Sequence, residues 1–394
     1  MSEKWDIKIM SEVYDVRDGT HDSPKYQDEG YPLITSKNLK DGIITFDKIK
    51  YISEEDYISI NKRSKVDIGD VLFAMIGTIG NPTVITEEPN YAIKNVALFK
   101  VDDSQNSKFL KYYLESPFVI DKMMNDAKGS TQRFVGLGYL RKFPIPIPPL
   151  PEQQQIVAIL DQTFKAIDQA KANIERNIEN AKELFQSKLN DIFSQKGEGW
   201  EEKSLGELGK VSMCKRILKK QTTPIGDIPF YKIGTFGKTP NAFIRKETYE
   251  EYRSKYSFPK KGDILLSASG TIGRRVVYDG LPAYFQDSNI VWIDNNEELV
   301  TNEYLYQFYG VCDFNPSKGA TISRLYNDDL RKIKISFPSI EEQKDIIPKM
   351  KELRKQTFQI ESNYNRKLED LEELKKSILQ KAFAGELTNK MVEV

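Results

Sequence analysis

Side chains suited to covalent or metal chemistry are scarce in this chain of 394 residues. It contains two cysteines, Cys214 and Cys312, and one histidine, His21. Three such residues cannot form a four-ligand zinc site, and a Ser-His-Asp or Cys-His nucleophile would depend on His21 alone. His21 lies in a turn-like segment, residues 18–24, and we interpret it first as a hydrogen-bonding loop residue.

Motifs for nucleotide binding and methyl transfer are also missing. Residues 236–239 read Phe-Gly-Lys-Thr, but Lys232 stands where a P-loop requires its first glycine. The Gly-Thr-Ile-Gly sequences at 77–80 and 270–273 are too short for a dinucleotide-binding loop, and no Asn-Pro-Pro-Tyr-type motif occurs. We therefore expect neither catalysis nor a metal or cofactor of its own in this chain.

Polar side chains that can read nucleic-acid bases cluster in loop segments instead. Arg and Lys suit guanine, Asn and Gln suit adenine, and hydroxyl and backbone N–H groups suit phosphate. The candidates are Lys37, Asn38, Thr78, Asn81, Lys94, Asn95, Ser130, Thr131, Gln132 and Arg133 in the first half of the chain, and Lys232, Thr271, Arg274, Arg275, Gln286, Asn289, Thr321, Ser323 and Arg324 in the second. Arg274 and Arg275 are the strongest candidates. The alternative for the Gly-Thr-Ile-Gly segments is that they serve purely as turns.

The same loops occur twice because the chain is a tandem duplication. Residues 69–80 recur as 262–273, 193 positions later, and residues 142–148 recur as 332–338, 190 positions later. Trp5 also matches Trp200, 195 positions later. Three anchors in one order with nearly one offset indicate an internal repeat. Within each copy, short β-branched and aromatic runs such as 31–35, 96–101 and 290–293 predict strands, and 109–114 predicts a helix.

Each copy ends in a predicted long helix of about 60 Å. The first begins at Pro151, and its apolar residues recur in two heptad series, Leu160, Ile167, Ile174, Ala181 and Phe164, Ile178, Phe185, Ile192. The second has the series Ile346, Leu353, Ile360, Leu374 and Met350, Tyr364, Leu371, Ile378. Ser339 fits a capping box, and Pro348 should kink this helix or delay its start. Because a heptad seam needs a partner, we expect the two helices to pair antiparallel, the alternative being two helices on separate cores.

The predicted fold is therefore α+β, a pseudo-two-fold repeat of two β-rich domains separated by two long antiparallel helices. The domains are residues 1–150 and 197–340, and the helices are residues 151–196 and 341–394. The chain has 58 basic and 58 acidic residues, so a partner would supply part of any phosphate contact. No apolar run approaches the roughly 20 residues of a membrane helix, and the start lacks signal-peptide features, which favours the cytoplasm.

Over nearly its whole length the chain resembles the specificity subunits of type I restriction-modification systems. The most specific elements are Pro-Pro-Leu-Pro-Glu-Gln at 148–153, Pro-Ser-Ile-Glu-Glu-Gln at 338–343, and the tail at 374–383. Residues 18–24 and 36–39 also look like one subclass of target-recognition domains. The second copy departs from this opening, so the two domains should read different sequences.

The resemblance implies that each β-rich domain reads one half of a split, asymmetric site in double-stranded DNA. It also implies that the helices set the half-site separation and dock two methyltransferase subunits. S-adenosylmethionine, ATP and Mg would belong to partner subunits, and the sequence leaves open whether restriction subunits take part. The alternative is a coiled-coil scaffold with two β-rich interaction modules and no DNA role, which net neutrality favours slightly.

Overall fold

The structure, a computed structural model, describes residues 5–129, 133–194, 197–315, 317–318 and 323–388. The chain divides into two compact units. Unit 1 comprises Met1–Glu175 and Asn365–Val394, and unit 2 comprises Arg176–Tyr364. Each unit therefore contains a β-rich segment and parts of two long helices.

The elements of the first copy are eleven strands and six helices among the described residues. The strands are β1 (Asp6–Ile9), β2 (Asp15–Asp18), β3 (Tyr31–Thr35), β4 (Leu39–Lys40), β5 (Ile43–Ile44), β6 (Lys50–Ile52), β7 (Val71–Ala74), β8 (Gly80–Val84), β9 (Ala92–Lys94), β10 (Val96–Lys100) and β11 (Pro144–Ile147). The helices are α1 (Met10–Val13), α2 (Glu54–Ser64), α3 (Ser107–Glu115), α4 (Pro117–Asp126), α5 (Leu137–Lys142) and α6 (Leu150–Phe193). The strands form a central sheet of order β2-β10-β7-β8, a sheet of order β6-β3-β9, and the pairs β1-β11 and β4-β5.

The second copy repeats this plan. Its strands are β12 (Glu201–Ser204), β13 (Gly209–Ser212), β14 (Thr222–Thr223), β15 (Ile228–Tyr231), β16 (Phe243–Ile244), β17 (Ile264–Ser267), β18 (Arg275–Val277), β19 (Tyr284–Phe285), β20 (Ile290–Asn295), β21 (Ser317–Lys318), β22 (Ser323–Arg324) and β23 (Lys334–Phe337). Its helices are α7 (Leu205–Leu208), α8 (Lys246–Lys255), α9 (Asn302–Phe308), α10 (Asn327–Lys332) and α11 (Ile340–Phe383). The central sheet has the order β13-β20-β17-β18, and β12 pairs with β23 as β1 pairs with β11. The predicted duplication is thus present in the topology.

Central strands of both sheets are buried on both faces. In β7, Val71 and Phe73 join one apolar cluster and Leu72 and Ala74 join another. Successive side chains of a strand point to opposite faces, so all four are buried only if both faces are covered. This double burial explains why these strands read as continuous apolar runs.

The two long helices are α6 and α11, each 44 residues long. Within unit 1 they run antiparallel, since Lys171 pairs with Glu372 while Glu152, one end of α6, accepts a hydrogen bond from Thr388 at 2.7 Å. Between these points Lys375 Nζ lies 4.9 Å from the ring centroid of Phe164. The predicted fold class, with its long antiparallel helices, is confirmed.

The structure corrects two details of the predicted α11. The helix begins at Ile340 and contains Pro348, so the delayed start is wrong and the predicted kink at this proline stays a prediction. Ile360 and Leu374, predicted to lie in the seam, are 42% and 46% exposed, whereas the polar Thr357 is buried. The face that packs includes polar positions, which an apolar heptad search does not count.

A buried glutamine fixes the start of each long helix. In unit 1, Gln153 Nε2 donates to the carbonyl of Pro148 at 2.9 Å, and its Oε1 accepts from the backbone N–H of Asn106 at 3.0 Å. In unit 2, Gln343 Nε2 donates to Pro338 at 2.9 Å, and its Oε1 accepts from Thr301 at 2.9 Å. Asn106 and Thr301 cap α3 and α9, so each glutamine joins a long helix to a short helix of its own unit.

Candidate nucleic-acid interface

In unit 1 the candidate loops lie at one end of the central sheet. β7 ends at Ala74, which pairs with Val96 at the start of β10. Asn95 and Lys94 come immediately before Val96. β3 runs parallel to β9, with Thr35 opposite Lys94, so Lys37 and Asn38 follow the neighbouring strand at the same end. Strand topology therefore brings together Lys37 and Lys94, and Asn38 and Asn95, which are each 57 positions apart in the sequence.

Hydrogen bonds join these loops in pairs. Ser36 Oγ donates to the carbonyl of Asn95 at 3.0 Å, which ties the loop after β3 to the one after β9. The backbone N–H of Gly77 donates to the carbonyl of Arg133 at 3.0 Å. The Gly-Thr-Ile-Gly turn of unit 1 thus contacts the loop before α5.

Unit 2 repeats the second of these contacts. The N–H of Gly270 donates to the carbonyl of Ser323 at 3.3 Å, and the N–H of Leu325 donates to Ala268 at 2.9 Å. The Gly-Thr-Ile-Gly turn of unit 2 is therefore bound to the loop before α10, as its counterpart is bound to the loop before α5.

The other two candidate clusters of unit 2 belong to the same network. Ser269 Oγ donates to Asn289 Oδ1 at 2.7 Å, which connects the turn to the loop before β20. The N–H of Ile233 donates to Gln286 Oε1 at 2.9 Å, and Ile233 follows Lys232. All four predicted clusters of unit 2 are joined.

Six of the predicted contacts have exposed side chains at these loops, namely Lys37, Thr78, Arg133, Lys232, Thr271 and Arg324. None of the four cations among them has an ion-pair partner within the described ranges. Exposed cations without counter-charges can each approach a phosphate or a guanine edge at little desolvation cost. The four exposed cations Lys37, Arg133, Lys232 and Arg324 give the candidate loops their positive charge.

Asn38 and Lys94 are used to build the loops. Asn38 is 6% exposed; its Oδ1 accepts from the N–H of Thr35 at 3.0 Å and its Nδ2 donates to the carbonyl of Thr45 at 3.0 Å. Lys94 is 9% exposed, and its ammonium donates to the carbonyl of Asp22 at 2.7 Å. Their side chains hold the loop backbone in place.

The histidine is a loop residue with two hydrogen-bond partners. Its Nε2 lies 2.8 Å from Asp18 Oδ2, and its Nδ1 lies 2.8 Å from Asn95 Oδ1. Asp18 also pairs with Arg63. These bonds match the hydrogen-bonding role expected for His21 and place Asn95, half-buried and with φ of 54°, at the loop end of β10.

Arg274 and Arg275 face the body of unit 2. Arg274 Nη1 donates to the carbonyl of Phe236 at 2.9 Å. The guanidinium of Arg275 lies 4.5 Å from the ring centroid of Tyr306, and a Cβ at Gly310 would overlap it. Burial opposes ionisation of Tyr306, yet hydrogen bonding from Arg275 and the charges of Arg354 and Arg275 lower the pKa of its phenol overall. Both arginines therefore support the turn from within.

Four more predicted contacts, Ser130, Thr131, Gln132 and Thr321, lie outside the described residues. Asn81, with φ of 49°, follows the Gly-Thr-Ile-Gly turn and is half-buried. Gln286, Asn289 and Ser323 are half-buried within the network of unit 2. Which of these residues contact bases stays a prediction.

The loop between β13 and β14 was not among the loops predicted from the sequence to contact DNA. It carries Lys215, Arg216, Lys219 and Lys220, all exposed, and Arg216 forms an ion pair with Asp287, next to Gln286. The density of cations in this segment was the available signal.

The described residues contain no cluster of His, Cys, Asp and Glu able to hold a metal ion. Burial raises the pKa of both thiols, Cys214 and Cys312, to about 12, so neither is a reactive thiolate. Among the described helices none is long and apolar enough to cross a membrane.

Comparison with known proteins identifies the family. The model of the type I restriction modification DNA specificity domain matches residues 2–180 and again residues 197–370. The chain belongs to this family. A Haemophilus influenzae protein assigned as a type I restriction enzyme specificity subunit is 45% identical over 261 residues, which cover 65% of this chain and 66% of that protein.

Solved structures share the fold over almost the whole chain. A chain from a study of assembly and conformational transition in a type I R-M system matches with a TM-score of 0.77 at 20% identity, covering 98% of this chain and 99% of that one. The crystal structure of the HsdS subunit from Thermoanaerobacter tengcongensis matches with a TM-score of 0.58 at 19% identity, covering 98% of each. The prediction of a type I DNA-specificity subunit is confirmed over the scaffold alternative.

Proposed function

We propose that this specificity subunit reads an asymmetric split site in double-stranded DNA, one half-site with the loops of each unit. The observation that supports this most is the gathering of candidate loops at one end of each central sheet, where hydrogen bonds join them. Loops held by a rigid sheet can present side chains to base edges and phosphates in a fixed geometry.

Asymmetry follows from the unlike loops of the two units. At the shared end of the sheet, unit 1 exposes Lys37 and Arg133, while unit 2 exposes Lys232 and Arg324 in a different loop framework. The second sheets also differ, with order β6-β3-β9 in unit 1 and β14-β16-β15-β19 in unit 2. Two different reading surfaces select two different half-sites.

Residues 1–150 and 197–340 are the two recognition domains, and residues 151–196 and 341–394 are the helices that set the half-site spacing. We propose that the helices dock two methyltransferase subunits and that the assembly works in the cytoplasm, with or without restriction subunits. S-adenosylmethionine, ATP and Mg are then bound by those partners, and the chain itself performs no chemistry.

Mapping adenine methylation across a genome tests the proposal. The chain is co-expressed with its neighbouring methyltransferase subunit, and a strain that lacks only this chain is the control. We expect a split, asymmetric motif that disappears in the control. Chain-independent methylation, or none with both proteins shown to be folded, would contradict the proposal.

A further inference from the structure

The loop that follows β13 in unit 2 is strongly cationic. Lys215, Arg216, Lys219 and Lys220 fall within six consecutive positions, and all four side chains are exposed. Lys219 and Lys220 lie in a single 3-10 turn, Lys219–Gln221. Such a density of exposed positive charge attracts phosphate and repels other cations.

Little negative charge compensates this loop. Arg216 Nε lies 2.8 Å from Asp287 Oδ2. Lys215 Nζ lies 5.0 Å from the ring centroid of Tyr256, a contact that leaves its charge uncancelled. Within the described ranges, neither Lys219 nor Lys220 has a carboxylate at ion-pair distance. Three of the four cations are therefore free to meet an anion.

The loop is fixed beside the candidate interface. Tyr284, in β19, donates from its hydroxyl to the carbonyl of Lys215 at 2.9 Å. Asp287, the partner of Arg216, lies between Gln286 and Asn289, which belong to the hydrogen-bonded network of loops. At the other end of the segment, Gln221 Nε2 donates to the hydroxyl of Tyr252 at 3.2 Å. The backbone is thus anchored while the lysine side chains extend into solvent.

The equivalent loop of unit 1 has the opposite character. It follows β2, which flanks its central sheet as β13 flanks the sheet of unit 2. Its exposed ionisable side chains are His21, Asp22, Lys25, Tyr26, Asp28 and Glu29, so three carboxylates stand against one lysine. Lys94, which contacts this loop, is buried with its ammonium against the carbonyl of Asp22. The tandem repeat therefore places a cationic loop on one reading surface only.

We propose that Lys215, Lys219 and Lys220 contact DNA phosphates and give unit 2 the larger share of sequence-independent affinity. This inference rests on the proposed function of the loops in unit 2. Phosphate contacts set the position of a protein on the duplex and carry no base information, while each one releases counterions. The loop strengthens binding to every sequence and leaves the choice of sequence to its neighbours.

Salt-dependent binding by the K219Q/K220Q variant tests the loop. The chain is purified with its methyltransferase partner, and dissociation constants are measured against salt for a duplex with the mapped motif and for an unrelated duplex. Loss of two phosphate contacts lowers the slope of log K against log salt by about 1.8. We expect affinity at roughly 0.1 M salt to fall on the order of tenfold for both duplexes, with the methylated motif unchanged.

A matched control comes from the opposite end of the same sheet. Lys210 and Lys261 are exposed, have no ion pair within the described part of the chain, and lie near the starts of β13 and β17, which run toward the interface. K210Q/K261Q changes the net charge equally and should leave the slope unaltered.

Three results would overturn the inference. An unaltered slope in K219Q/K220Q, with the wild-type complex binding normally, removes the loop from the interface and leaves the proposed function intact. A changed motif would mean that the lysines read bases. Absence of salt-dependent DNA binding by the wild-type complex would refute the proposed function itself and, with it, the phosphate contacts proposed for the loop.

Discussion

Replacing Gln153 with leucine removes a hydrogen-bonding side chain that unit 1 buries completely, at 0% exposure. The amide makes bonds of 3.0 Å to Asn106, 2.9 Å to Pro148 and 2.9 Å to Gln105. Leucine has a similar volume but can make none of them. The backbone N–H of Asn106 and the carbonyl of Pro148 would then be left without these bonds at the junction of α3 and α6.

The size of the effect follows from those two backbone groups. A buried polar group left unsatisfied costs about 1–3 kcal/mol, so Gln153→Leu should lower the free energy of unfolding of unit 1 by about 3 kcal/mol. With a urea dependence of about 2 kcal/mol/M, the unfolding midpoint falls by about 1.5 M. Gln343→Leu should have the same effect on unit 2, because Gln343 bonds Pro338 and Thr301 in the same way.

Tryptophan fluorescence during urea unfolding of the full chain measures the unfolding midpoint of unit 1. Trp5 donates to Glu152 at 3.3 Å, beside Gln153, so it reports on unit 1 when Trp200 and Trp292 are replaced by phenylalanine. Gln154→Leu is the matched control, since Gln154 is the exposed neighbour, and it should change stability by under about 0.5 kcal/mol. If Gln153→Leu and Gln154→Leu unfold at the same urea midpoint, the stabilising role given to the buried amide of Gln153 is refuted.

Four further substitutions test other parts of the structure. At Gly19 a Cβ would overlap the carbonyl of Ile93, so Gly19→Ala should lower unfolding stability by about 1–3 kcal/mol, and an unchanged melting temperature would contradict this. Arg324→Ala should weaken DNA binding without a change in the urea midpoint. Arg275→Ala should instead lower the free energy of unfolding by about 0.5–2 kcal/mol, because its contact with Tyr306 is lost. Destabilisation by Arg324→Ala, with weaker DNA binding but unchanged stability in Arg275→Ala, would contradict both assignments. Hydrogen bonding from Lys171 lowers the pKa of Glu372, so the pair stabilises above the usual glutamate pKa and loses this effect as pH falls through the lowered value. Lys171→Met should then cost at most about 1 kcal/mol at neutral pH and nothing in acid, and a cost that persists in acid would argue against the ion pair.

The duplication and the long helices could be predicted because both are periodic. Repeated anchors such as 69–80 and 262–273 reappear as equivalent strands and turns, β7 and β17 with the Gly-Thr-Ile-Gly segments that follow them. Heptad spacing identified buried positions such as Leu160 and Ile167. The spacing of apolar residues and of repeated segments can be read directly from a single sequence.

Side-chain direction at the loops could not be predicted in the same way. Arg275 and Arg324 are the same residue type in neighbouring loops, yet Tyr306 and the space left by Gly310 draw Arg275 inward while Arg324 is exposed. Asn38 likewise bonds Thr35 and Thr45 across its own turn. Such tertiary partners decide whether a polar residue supports a loop or faces a ligand.

Methylation mapping with unit-specific variants tests the central claim most directly. One strain carries Lys37→Ala with Arg133→Ala, and the other carries Lys232→Ala with Arg324→Ala, each co-expressed with the methyltransferase subunit. The account predicts that the first variant relaxes or abolishes one half of the split motif and the second affects only the other half. Identical changes to both halves in both strains, or an unaltered motif in each at full methylation, would contradict it.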